Sequence, residues 1–176
     1  AIQGAIILMV AHAFSSAGLF ILSGQLYERI HTRDMRIMGG LWGRIPVLPG
    51  FTLCFVAASL GMPATANFVG EFMVLFGTFP SAPVVVVIAS VGLVLAAIYS
   101  LLLMQRVHYG PEYRQGALRG PDAREYGMML VLLVLTVMVG LYPQPILDIT
   151  APIAGPAAEL FEQAGAELAS RAGEVN

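Results

Sequence analysis

The sequence predicts an all-α integral membrane protein with about four transmembrane helices, the second of them discontinuous. Three observations carry this. Of 176 residues, 57% are hydrophobic and 11% charged, against about 45–50% and about 25% in soluble domains. Mean hydropathy is +0.78. The apolar residues fall into runs of about 20, enough to cross a bilayer as a helix, and the basic residues, all nine of them Arg, lie between those runs. That scatter and a net charge of −2 argue against a nucleic-acid partner, and the partner read from the apolar spans is the lipid bilayer.

The first crossing is predicted over residues 2–26. The chain opens at Ala1 directly in apolar sequence, without a charged leader or a cleavage site, so this span does not read as a signal peptide and the chain reads as a piece of something longer. The second apolar run, 47–79, would be near 50 Å long at about 1.5 Å per residue, too long for a hydrocarbon core of about 30 Å. Gly61-Met62-Pro63 supplies the interruption, because proline lacks an amide donor and clashes with the preceding turn while glycine tolerates open geometry. Two half-helices result, 47–60 and 67–79, with the break near 61–66. Transporters place ion sites at such breaks; a simple proline kink is the alternative. The third and fourth crossings are predicted over 84–104 and 126–141, which gives a membrane unit of 1–147.

The tail, 148–176, is acidic, with Asp148, Glu159, Glu162, Glu167 and Glu174 against Arg171. Leu160, Phe161, Ala164 and Leu168 give it an apolar stripe at helical spacing, as in a short amphipathic helix lying on the membrane surface; a frayed tail is the alternative. Arg29, Arg33, Arg36 and Arg44 occupy the first connection and Arg106, Arg114, Arg119 and Arg124 the third. The positive-inside rule therefore puts loops 27–46 and 105–125 in the cytoplasm and the C-terminus on the opposite side.

Glu71 is an acid within an otherwise uncharged stretch, 46–105. A charge at the centre of a membrane helix costs roughly 2.5–3.5 kcal/mol on insertion scales, so intramembrane acids are read as functional; a neutral structural carboxyl is the alternative. At about 100° per residue, Asn67, Glu71 and Thr78 fall within about 40° of one another, a polar stripe able to hold a water chain. On the first crossing His12, Ser15, Ser16 and Ser23 form a second stripe. Imidazole titrates near neutrality and suits proton relay, although interhelical hydrogen bonding accounts for such a stripe equally well. The charged run Glu28 to Arg36 reads as a solvated connector with weak local ion pairs. No phosphate loop, dinucleotide fingerprint, Cys cluster or His pair at metal-binding spacing is present, so no cofactor, metal or redox centre is expected in this chain.

The runs Gly24-Gln25-Leu26-Tyr27-Glu28-Arg29-Ile30-His31-Thr32-Arg33-Asp34 and Gly61-Met62-Pro63-Ala64-Thr65-Ala66-Asn67-Phe68-Val69-Gly70-Glu71-Phe72, and the ending Tyr142-Pro143-Gln144-Pro145, resemble the M-type (chain 4) antiporter-like membrane subunits of bacterial respiratory complex I, NADH:quinone oxidoreductase. The resemblance covers about residues 1–148. It implies the C-terminal end of a fourteen-helix antiporter-like fold, of which the broken helix belongs to the second of two inverted repeats. It also implies that Glu71 matches a terminal proton carrier and that His12 matches a histidine of a central hydrophilic axis. The implied role is proton translocation across the bacterial inner membrane as one multi-pass subunit of a redox enzyme, with a periplasmic C-terminus. FMN, iron–sulfur clusters, NADH and quinone are then expected in other subunits, and neighbouring antiporter-like membrane-arm subunits are the expected partners. The family's Lys–Glu pair and central Lys belong to earlier helices, and this chain has no Lys. Relatives often carry Gly directly after the break proline; Ala64 stands here, which narrows backbone freedom. A subunit of a multi-subunit sodium/proton antiporter, which shares the fold, and a purely structural membrane scaffold are the alternatives.

Overall fold

The computed structural model describes residues 1–111 and 118–173, which leaves Arg114 and Glu174 outside the described residues. The described chain is helical, in the order α1 (Ile2–Ile30), α2 (Leu41–Arg44), α3 (Val47–Ser59), α4 (Ala66–Thr78), α5 (Pro83–Val107), α6 (Ala123–Leu141) and α7 (Gln144–Gly173). Three of these, α1, α5 and α6, are long and apolar enough to cross a membrane, whereas α3 and α4 are shorter apolar helices separated by the break.

Local chemistry sets the ends. His31 stops α1 by taking the left-handed conformation at φ 51°, with its N–H donating to the Tyr27 carbonyl at 2.7 Å. Pro83 opens α5 at a position where its missing amide is not needed. A reciprocal capping box opens α6, in which the Glu125 carboxylate accepts from the Asp122 N–H at 2.7 Å. In α7, Pro152 and Pro156 sit inside a continuous helix rather than interrupting it.

Helix α1 is the central post, packed against α3, α4, α6 and α7. Small residues bring the backbones together, as expected where lipid provides no hydrophobic drive between helices. A side chain at Gly4 would run into Met73 of α4, one at Gly70 into Leu8, and one at Gly18 into the Phe55 ring. Leu22, Leu48, Phe51, Phe55 and Met129 form the core between α1, α3 and α6. Helix α5 stands apart: Val84, Val87, Val91, Leu95 and Leu101 are all exposed, an all-round apolar surface that fits lipid or further protein.

Candidate functional site

The break is made by backbone geometry. Helix α3 tightens as it ends, the Leu60 N–H shared between the Val56 and Ala57 carbonyls at 3.0 and 3.2 Å and the Gly61 N–H reaching the Ala58 carbonyl at 3.0 Å, before the Met62 N–H closes the end on the Ala57 carbonyl at 3.1 Å. Pro63 has no amide to extend this ladder. Thr65 restarts the chain, its hydroxyl donating to the Met62 carbonyl at 2.7 Å. Gly61 turns at φ 65° and Ala64 at φ 76°. Both lie in the left-handed region, so the chain takes the glycine-like conformation at Ala64 without having the glycine. Across from the break, Gly140 of α6 lies so close to Ala64 and Thr65 that any side chain there would overlap their backbone.

Glu71 lies little more than a turn into α4 and folds back on this break. A Cβ at Gly61 would overlap the Glu71 Oε2, so the glycine leaves the space its carboxylate fills. One turn earlier, Asn67 is 2% exposed and donates from Nδ2 to Ser15 Oγ on α1 at 3.4 Å. The Asn67 Oδ1 is buried without a hydrogen-bond partner among the described residues. Ser15 and Ser16 both donate to the His12 carbonyl, at 3.3 and 2.6 Å.

These groups border one cavity of about 970 Å³ running along α1 between α3, α4 and α5, with His12, Ser16, Ser23, Asn67 and Glu71 in its wall. Ser15 sits behind the wall, tied to Asn67, and Thr78 lies beyond the cavity, where its carbonyl accepts from the Ser81 and Ala82 amides at 3.1 and 3.0 Å. The two polar stripes, on α1 and α4, thus face the same space, with Ser15 behind its wall and Thr78 beyond it. Such a space admits water and lines it with an acid, an imidazole, an amide and hydroxyls, the components of a proton path.

The connector is partly as its charges suggest. Arg36 and Asp34 pair at 2.8 Å in solvent, and Arg36 holds the Asp34 carboxyl below its usual range; Arg33 lies over the Tyr27 ring at 4.8 Å. Arg29 departs from the solvated reading. Its side chain is 8% exposed and meets the 13%-exposed Glu125 of α6 at 2.7 Å, while further N–H groups donate to the Gln25, Arg119 and Gly120 carbonyls at 2.7, 2.8 and 3.2 Å. Sequence reasoning also passed over His108, which caps α5 in the cavity wall and is buried. Its position two residues after Arg106, beyond an apolar span, carried no signal of that burial. No group of three or more His, Cys, Asp or Glu arranged to hold a metal is found among the described residues.

Fold and site together define a polytopic helical membrane protein with a discontinuous helix that turns an acid toward a cavity with polar groups in its wall. Residues 1–97 match the family model described as NADH:quinone oxidoreductase/Mrp antiporter, transmembrane. NADH-quinone oxidoreductase subunit M of Pseudomonas aeruginosa is 56% identical over 151 residues, covering 86% of this chain and 30% of that protein. The Escherichia coli K12 subunit M is 58% identical over 151 residues, covering 84% and 30%. A chain in the structure of respiratory complex I from Thermus thermophilus with bound NADH superposes with a TM-score of 0.83 at 26% identity, covering 90% of this chain and 33% of that one. The chain belongs to the NADH:quinone oxidoreductase/Mrp antiporter transmembrane family, and it spans 30% of the length of the curated relatives named here.

Proposed function

We propose that this chain works in the membrane arm of a proton-translocating NADH:quinone oxidoreductase, in the manner of the subunit M relatives. The observation that carries the reading is the shared cavity, with Glu71 from the broken helix and His12 from α1 in one wall. Glu71 takes up a proton from the cavity side and releases it toward the periplasm, with His12 and cavity water as the supply. Asn67 and Ser15 fix the α1–α4 geometry behind it, and Gly61 and Pro63 keep the backbone open beside the carboxylate. Moving one charge across about 100 mV takes about 2.3 kcal/mol, equal to a shift of under about two pKa units in the carrier. Quinone reduction in other subunits, which carry FMN and the iron–sulfur clusters, supplies the drive through conformation or electrostatics.

The Arg-rich connections, 27–46 and 105–125, then face the cytoplasm of a bacterium, the tail from 148 faces the periplasm, and the chain sits in the inner membrane beside other antiporter-like subunits. The relatives' names favour this over a sodium/proton antiporter, for which activity would require sodium. The test places Glu71→Gln at the chromosomal locus of the source organism and follows proton pumping and NADH:quinone turnover in its membranes, with assembly checked on a native gel. The reading predicts an assembled complex that has lost pumping. Normal pumping by an assembled Glu71→Gln complex removes Glu71 from the proton path and promotes the scaffold alternative.

A further inference from the structure

The cavity is long. On α1 it extends from Ala5 to Leu26, a rise of about 32 Å at 1.5 Å per residue, close to a hydrocarbon thickness of about 30 Å. Glu71 and His12 occupy one half of that length. At the other end the wall is made by Thr32 and Arg33, just past α1, and by Val107 and His108 at the end of α5.

His108 is fixed there by its backbone. Its N–H donates to the Met104 carbonyl at 3.0 Å and its own carbonyl accepts from the Trp42 N–H at 3.3 Å, while Trp42 and Tyr109 stack at 5.5 Å beside it. The residue is 2% exposed, yet Nδ1 has no hydrogen-bond partner among the described residues. Buried polar atoms are overwhelmingly paired with protein or ordered water, and a cavity of this size has room for water beside the polar groups set in its mostly apolar wall. The other charged and titratable side chains in the cavity wall are Arg33 at the same end, Tyr99 on α5, and His12 and Glu71 toward the far end. Arg106, on the same helix, is exposed.

We propose that His108 is a proton-relay residue at the connector end of the cavity, passing protons from the side of the Arg-rich connections to the water that leads to His12 and Glu71. One imidazole nitrogen accepts a proton from water on the connector side, and the other gives up its own proton to a cavity water. A neutral ring remains with its proton on the opposite nitrogen, and a ring flip resets it. Burial holds His108 down to about 4. The resting ring is therefore neutral at pH 7 and keeps a lone pair able to accept.

The inference rests on the proposed proton-conducting role, and the experiment separates the two. His108→Ala and the near-isosteric His108→Gln are placed at the chromosomal locus beside Glu71→Gln, and assembly, pumping and turnover are followed in membranes. Both His108 variants are expected to assemble and to lose pumping by about a hundredfold, the lower end of what a positioned proton-transfer group contributes. Added imidazole should restore pumping to His108→Ala. Pyrazole, of the same shape but a much weaker base, should restore far less. Wild-type pumping by an assembled His108→Gln complex overturns the relay, and so does rescue by pyrazole equal to that by imidazole. Where His108→Ala fails to assemble, His108→Gln decides. Loss in Glu71→Gln without loss in the His108 variants overturns the relay alone, whereas normal pumping in Glu71→Gln overturns the reading beneath it.

Discussion

Ala64 pays for a conformation that its side chain does not favour. At φ 76° an L-residue with a Cβ is strained by roughly 1–2 kcal/mol, so Ala64→Gly should stabilise the protein by about 1 kcal/mol after glycine's larger loss of chain entropy is subtracted. Thermal unfolding of the detergent-solubilised complex measures this, and a lower midpoint would show that the break does not hold Ala64 where it stands. Gly61 is constrained twice, by its φ of 65° and by the Glu71 carboxylate against it. His108 gives stability a pH dependence. Its pKa, lowered from 6.5 to about 4 by burial, means that the unfolded chain binds the proton first as pH falls. The His108 contribution is therefore intact above about pH 6.5 and is lost between there and about pH 4, on the order of 3 kcal/mol in all. His108→Gln should flatten that part of the stability profile, which unfolding at pH 7 and pH 5 compares directly.

At the scale of elements, the discontinuity in the second crossing was legible because the 33-residue stretch 47–79 exceeds a bilayer and a Gly-x-Pro lies inside it. The α1–α6 clamp was not legible. Arg29 reads as one of several connector charges, and its partner Glu125 lies 96 residues further along the chain, brought to it only when α6 packs against α1. With both side chains nearly buried, Arg29→Met strips Glu125 of the cation against it and leaves the carboxylate the Asp122 N–H, a loss of up to about 3 kcal/mol. Arg29→Met combined with Glu125→Gln should recover part of that loss, because no charge is then stranded. Thermal unfolding of both variants checks this, and equal losses would mean that the pair contributes through packing alone.

Over the whole molecule, the polar stripes on α1 and α4 were readable from helical spacing, and the cavity wall brings together His12, Ser16, Ser23, Asn67 and Glu71. Thr78 shared the stripe's angle but not its depth, since a helical projection reports direction and not position along the axis. His108 was hidden for a different reason: its burial is made by the chain that folds over the end of α5, and no local pattern announces it. The cavity gives these residues a common purpose only if Glu71 changes protonation as the complex turns over. Infrared difference spectra of the complex, recorded between resting and NADH-driven states, test this most directly. The account predicts a carboxylic-acid C=O band that changes with turnover and is missing from an assembled Glu71→Gln complex. A difference spectrum with the same carboxylic-acid bands in both would contradict it.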